Sequence, residues 1–200
     1  MTGPGPEAFD RRALRAAMRE RRQTLPAAAR MQAAEAIATH LLADPAFGPG
    51  YVAGYWAMGG ELPLHVLQMR LRPDQVWCLP CLETDGHLRF APWRPGDPLV
   101  SNRFGIPEPD VAPSSRLDPE ELSIVLVPLV AFSAAGTRLG MGGGYYDRSF
   151  AFRHGRGAPP RLVGVGYGFQ REDALAAEPW DVPLDAVATE AGLFACPAAG

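Results

Sequence analysis

With 200 residues, a formal net charge of −3, 47% hydrophobic and 20% charged residues, the chain has the composition of one globular domain, long enough to bury roughly 70% of its unfolded surface without a disulfide staple. The 22 glycines and 21 prolines are scattered without a period, which excludes a collagen-like repeat, and the slight acidity argues against a nucleic acid held by bulk charge. All 19 basic residues are Arg, so a lysine Schiff base, a pyridoxal-phosphate anchor and a Walker A lysine are excluded.

Glu7 and Asp10 precede an Arg-rich run with no continuous apolar stretch, so no secretory signal is expected at the start. Residues 8–22 carry Phe9, Leu14, Ala17 and Met18 at helical spacing, and Thr24-Leu25-Pro26 starts a second helix running to about residue 44. A buried strand over 51–57, a short helix over 63–71 beginning near Glu61, and a strand over 75–80 follow. Cys78-x-x-Cys81 has no second Cys or His pair at metal spacing, and Cys78 lies in an apolar run, so both read as core cysteines. An odd count of three cysteines does not suggest a secreted framework, and the cytoplasm is the expected compartment.

Asp85-Gly86 is a hairpin signal joining 81–84 to 87–93, and the Pro-rich stretch 94–121 reads as a surface loop. The core strand is predicted over 123–132; its apolar run is about half of what a membrane span needs and contains Pro128. A helix over 145–153 and a strand over 162–167 complete a strand–helix–strand order whose strands are apolar on both faces. The expected fold is therefore α/β, three-layered, a mostly parallel sheet flanked by helices with a small hairpin excursion and ligands past the carboxyl ends of the strands. One domain over 1–200 is expected, with flexible ends at 1–8 and 192–200.

Five glycines fall within nine residues, from Gly136 through Gly140, Gly142 and Gly143 to Gly144, and the segment opens into the helix beginning Tyr145-Tyr146-Asp147. Such a loop turns backbone N–H groups inward and suits phosphate oxygens, although the spacing fits neither G-x-G-x-x-G nor a P-loop. The plain alternative is a flexible turn. Arg138 suits a bidentate phosphate contact, Asp147 a Mg²⁺ ion, and the paired tyrosines a flat ring.

The segment Arg138-Leu-Gly140-Met-Gly142-Gly-Gly144-Tyr145-Tyr146-Asp147 resembles the R-L-G-x-G-x-G-Y-Y-D loop of the 5-formyltetrahydrofolate cyclo-ligases, also called 5,10-methenyltetrahydrofolate synthetases. The resemblance extends through Val127 to Phe132, Phe104 to Pro109 and Trp180 to Asp185, and covers nearly all of 11–190. It implies an α/β enzyme, taken here as a monomer whose partners are small molecules rather than nucleic acid or membrane. The implied reaction is cyclisation of 5-formyltetrahydrofolate to 5,10-methenyltetrahydrofolate, with ATP as co-substrate and Mg²⁺ as cofactor.

The resemblance places the nucleotide on Arg11, Arg15, Arg138, Gly140, Gly142, Gly143, Gly144, Tyr145 and Tyr146. Arg11 and Arg15, spaced i to i+4, share a helix face; a solvated basic face is the alternative, because Arg12, Arg19, Arg21 and Arg22 crowd the same segment. It places the folate on Trp56, Glu61, Phe104, Met141 and Tyr145, with Glu61 accepting from the pterin's donor edge unless it merely caps the next helix. Asp147 and Asp185 match the two Mg²⁺ ligands, and Asp181 is the neighbour most easily confused with Asp185. Arg138 and Asp147 carry the chemistry in this reading. Met141 and Gly143 stand where relatives often have basic residues, which leaves open a paralogue with another acceptor or a silent nucleotide-binding protein.

Overall fold

The computed structural model describes residues 10–197. Asp10 opens helix α1 (Arg11–Gln23) by accepting from the N–H groups of Arg12 and Ala13 at 2.8 and 3.0 Å, which pairs two donors of the first turn. The expected helix start at residue 8 and the flexible end at 1–8 lie outside the described residues. Thr24 ends α1, and the chain restarts after Pro26 as α2 (Ala27–Ala43), which buries Ala33, Ala34, Ile37, Ala38 and Leu41 at the helical period.

Strand β1 (Gly50–Ala53), helix α3 (His65–Met69), and strands β2 (Gln75–Leu82) and β3 (Leu88–Pro92) follow. β1 ends at Ala53 rather than at residue 57, and Gly54 beyond it lies against the Trp77 ring, where an added Cβ would come within 2.1 Å. From there the chain leaves the sheet. The stretch 94–121 is not a plain surface loop: β4 (Leu99–Ser101) and β5 (Pro107–Pro109) pair as a hairpin, and two 3-10 turns follow it. Strands of three residues bounded by proline leave no alternating pattern to read.

The expected strand over 123–132 is two strands, β6 (Ile124–Pro128) in the sheet and β7 (Ala131–Phe132), which pairs with β8 (Arg138–Leu139). Pro128 cannot donate, and the carbonyls of Leu129 and Val130 just beyond it accept from the side chain of Gln170. Helix α4 (Tyr145–Ser149) is shorter than the predicted 145–153 and tightens into a 3-10 turn at Ala151–Arg153. β9 (Arg161–Val165), β10 (Ala186–Thr189) and β11 (Gly192–Ala195) complete the chain. The flexible end expected at 192–200 is thereby corrected, because 192–195 pair antiparallel with β10; residues 198–200 lie outside the described ones.

The sheet runs β11-β10-β9-β6-β1-β2-β3, with its five inner strands parallel and an antiparallel strand on each edge. Successive residues of the inner strands serve opposite cores. Val52, Leu126 and Val163 pack with α2 and α3, while Ala53, Val125 and Val127 pack with Phe150 after α4 and with Val182 and Leu184. Helices thus cover both faces, the three-layered α/β architecture expected of parallel strands. Cys78 and Cys81 are buried and unbridged, and burial pushes each thiol up to about 12. Among the described residues no helix is long and apolar enough to cross a membrane.

Candidate active site

A cavity of about 770 Å³ opens past the carboxyl ends of β1, β2 and β6. One wall is the loop from β8 to α4. Gly142 and Gly144 take left-handed φ values of +98° and +66°, and a Cβ on Gly143 would meet the Tyr145 ring at 2.5 Å. Glycine is therefore required by the geometry rather than by flexibility. With five residues, α4 contributes little dipole of its own, and the positive field of this wall comes from arginines. Arg138, nearly fully buried, donates to Asp147 Oδ1 at 2.7 Å and lies 5.6 Å from the Tyr146 ring centre. Burial pushes the Tyr146 phenol upward, against the opposing pull of Arg138, so it stays neutral.

Helix α1 forms the second wall. Arg11, Arg15, Arg19 and Arg22 all line the cavity, whereas Arg12 does not, so the sequence reading named two of the four. The i, i+4 spacing that paired Arg11 with Arg15 also reaches Arg19 and could have found it. Arg15 Nε donates to Gly140 O at 2.8 Å and ties helix to loop. Arg11 is tied outward, donating to Ala176 O at 2.6 Å and to Asp181 at 3.2 Å.

The floor is the segment between β1 and α3. Trp56, Met58 and Glu61 line it, and Glu61 Oε2 accepts from Met58 N at 3.0 Å. No side chain caps α3, so Glu61 is not the cap that the plainer reading made it. Burial raises the Glu61 carboxyl, opposed by the Met58 N–H and by Arg22, whose Nη1 is 3.9 Å from Oε1. Phe104, at the tip of the β4–β5 hairpin, meets Tyr145 edge-on at 5.9 Å, and Arg103 donates to the Tyr145 hydroxyl at 3.2 Å. The sequence reading missed how this tip is held: Glu108 accepts from Leu82 N and Asn102 Nδ2 at 2.9 and 2.7 Å, and Asn102 Oδ1 from the N–H groups of Phe104 and Ile106 at 2.8 and 3.1 Å. Met141 and Trp180 sit exposed at the cavity mouth.

The expected pairing of Asp147 with Asp185 is not reproduced. Asp185 does not line the cavity; its oxygens accept from Arg153 at 2.7 and 2.8 Å and from Leu162 N at 2.7 Å. Both of its oxygens accept from the buried Arg153, whereas Asp147 accepts from Arg138 and Val182 N through Oδ1 alone, so among the described residues its Oδ2 has no hydrogen-bond partner. Asp181 lines the cavity instead, engaged with Arg11 and with Glu178 N. Among the described residues no three His, Cys, Asp or Glu side chains gather as a metal cluster.

The model of the 5-formyltetrahydrofolate cyclo-ligase family matches residues 8–190. The 5-formyltetrahydrofolate cyclo-ligase of Escherichia coli K12 is 36% identical over 182 residues, covering 86% of this chain and 96% of its own. That of Haemophilus influenzae is 35% identical over 179 residues, covering 87% and 94%. The solved structure of Aquifex aeolicus 5,10-methenyltetrahydrofolate synthetase superposes with a TM-score of 0.80 at 30% identity, over 95% of this chain and 94% of that one. With the glycine loop, the arginine face and the Glu61 floor meeting in one cavity of this fold, the chain belongs to the 5-formyltetrahydrofolate cyclo-ligase family.

Proposed function

We propose that the chain is the enzyme that cyclises 5-formyltetrahydrofolate to 5,10-methenyltetrahydrofolate at the expense of ATP. The observation that carries the reading is continuity: the glycine loop with Arg138 and the aromatic floor with Glu61 face one undivided cavity, so a phosphate donor and a flat heterocycle can meet there. Nucleotide phosphates lie along Gly140 to Gly144 with Arg15 and Arg138, and Arg11 closes the outer end. The pterin lies between Trp56, Phe104 and Tyr145, its donor edge on Glu61. The enzyme acts as a cytoplasmic monomer on small molecules, without nucleic acid or membrane.

In the reaction the formyl oxygen attacks the γ-phosphorus and the bond to the β-phosphate oxygen breaks, releasing ADP. The formyl carbon, now bearing a phosphate leaving group, is attacked by N10; phosphate departs and the N10 proton passes to water. Arg138 and the loop amides neutralise the transferring phosphoryl group, and the stacked rings hold N10 in reach of the carbon. The donor set fits Mg²⁺ only in part: of the cavity's carboxylates Asp147 is the one in the glycine-loop wall, and it would hold the ion together with phosphate oxygens and water, the bound ion supplying charge neutralisation. Asp185 has no part in this assignment.

The test is the near-ultraviolet absorbance of the methenyl product when protein and 5-formyltetrahydrofolate are mixed with and without ATP, before and after chelation. Product only with ATP and divalent cation supports the reading. ATP binding without product points to a silent nucleotide-binding protein, and ATP turnover with another acceptor to a paralogue.

A further inference from the structure

We propose that Arg22 is a specificity-determining residue of the folate site, donating to the 4-oxo oxygen of the ring beside the carboxylate that accepts from its amino and N3–H groups; this rests on the folate reading above. Arg22 is only 2% exposed, yet it lines the cavity floor. Its one hydrogen bond is a long one, 3.3 Å from Nη1 to Leu129 O, and that oxygen already accepts from Gln170 at 3.0 Å. Nε is buried without a partner among the described residues. Glu61, at 3.9 Å, balances the charge without making a hydrogen bond at normal distance. A buried guanidinium with donors to spare is an expensive feature that an apolar side chain would avoid.

The other cavity arginines differ. Arg11 and Arg15 have short bonds to Ala176 and Gly140 carbonyls, and they stand at the phosphate wall. At 1.5 Å per residue Arg22 lies about 16 Å along the helix from Arg11 and about 10 Å from Arg15, at the floor rather than the loop. Its place there is fixed: Gly60, with φ of +80°, lies so close that an added Cβ would come within 3.0 Å of Arg22 O, which locks the end of α1 against the turn preceding Glu61. Guanidinium and carboxylate therefore present a donor beside an acceptor. A 2-amino-4-oxo pyrimidine edge offers two donors followed by one acceptor, the complementary order.

The test compares binding, by calorimetry, of 5-formyltetrahydrofolate, its 4-amino counterpart and a non-hydrolysable ATP analogue to wild type and Arg22→Met. Wild type is expected to favour the 4-oxo form by at least about tenfold, because the 4-amino group would face an N–H with an N–H. In Arg22→Met that preference should shrink at least about threefold, the remainder being held by Glu61, which meets a ring nitrogen without a hydrogen in the 4-amino form, with ATP-analogue affinity within about twofold of wild type. A merely structural role would weaken both folates equally and leave the ratio in place, which overturns the proposal. Loss of ATP-analogue affinity instead would assign Arg22 to the phosphates and also overturns it. Should Arg22→Met not fold, Arg22→Leu carries the same test with another side chain that has no donor, and an unchanged ratio is again fatal. If wild type binds the ATP analogue but neither folate, the folate reading itself fails; if it prefers the 4-oxo form and the variants do so to the same degree, only Arg22 is wrong.

Discussion

On the glycine-loop side of the cavity, most of the lining comes from one run of residues, 138–147, with Arg11 and Arg15 of α1 beside it. The floor is assembled from four separated segments: the end of α1, the turn through Trp56 and Glu61, the hairpin tip at Phe104, and Leu129 after β6. The first arrangement suits an anion, whose oxygens accept from any direction. The second suits a flat ring with an ordered row of donors and acceptors, because each group is held by a partner of its own. Chemistry should therefore fail when the loop wall is altered, and selectivity when the floor is.

The largest effect is expected at Arg138. Arg138→Lys keeps a cation but loses the fork that reaches Asp147 and a phosphoryl oxygen together, so kcat should fall at least about a hundredfold while the KM for folate moves little. A large rise in folate KM with kcat preserved would break the division between the two walls.

Next come the two carboxylates that the family pattern treats alike. Asp185→Asn removes the carboxylate whose two oxygens accept from Arg153 Nη2, while Nε and Nη1 have no partner among the described residues, and should lower stability by about 2 kcal/mol, discounted for the partial exposure of Asp185. Its cation titration should match wild type. Asp147→Asn should raise the Mg²⁺ concentration for half-maximal rate about tenfold. If both variants shift the metal titration, the carboxylate pairing of the sequence pattern stands and the cavity assignment falls.

Glu61→Gln keeps the volume of the floor and removes its anion. Folate affinity should fall about tenfold, since an unpaired buried donor costs about 1–3 kcal/mol, with ATP affinity nearly constant. The pH profile sharpens this. Burial raises the Glu61 carboxyl above its ordinary range, so folate affinity should be weak at low pH, rise as pH climbs through that raised value, and level off above it. Tyr55, Tyr146 and Tyr167 face Glu61 with phenols pushed upward and stay neutral throughout. Glu61→Gln should therefore be flat over the same range, and a profile identical to wild type would remove the anion from the site.

The same contrast explains what could be read without coordinates. The loop wall was legible because its signal is contiguous: five glycines, an arginine and an aspartate in one run dictate close backbone approach wherever the chain goes. The parallel sheet was legible because strands buried on both faces read as continuous apolar runs. The hairpin holding Phe104 was not, since its strands are three residues long and its latch, Glu108 to Asn102, is a tertiary hydrogen bond. The setting of Asp185 was illegible for a related reason: a pattern match fixes the residue, whereas Arg153, 32 positions upstream, decides where its oxygens point. With α4 only five residues long, the positive charge beside the loop comes from Arg138 and the arginines of α1.

The smallest effect tests the register of α1. Arg19 lines the cavity between the phosphate wall and the floor, four residues past Arg15, but it is exposed, so water and salt screen whatever charge it offers. Arg19→Ala should raise the KM for ATP only about two- to fivefold, the scale of an exposed ion pair, and the difference from wild type should shrink as salt is added. Arg12, off the cavity, should show neither change, and its loss should keep stability within about 0.5 kcal/mol of wild type. The comparison is internal: the same residue type, helix and substitution, differing in whether the side chain reaches the ligand. Equal KM shifts in the two variants would mean that α1 acts through its summed charge, and that the pairing of Arg11 with Arg15 is no more specific than the basic face around it.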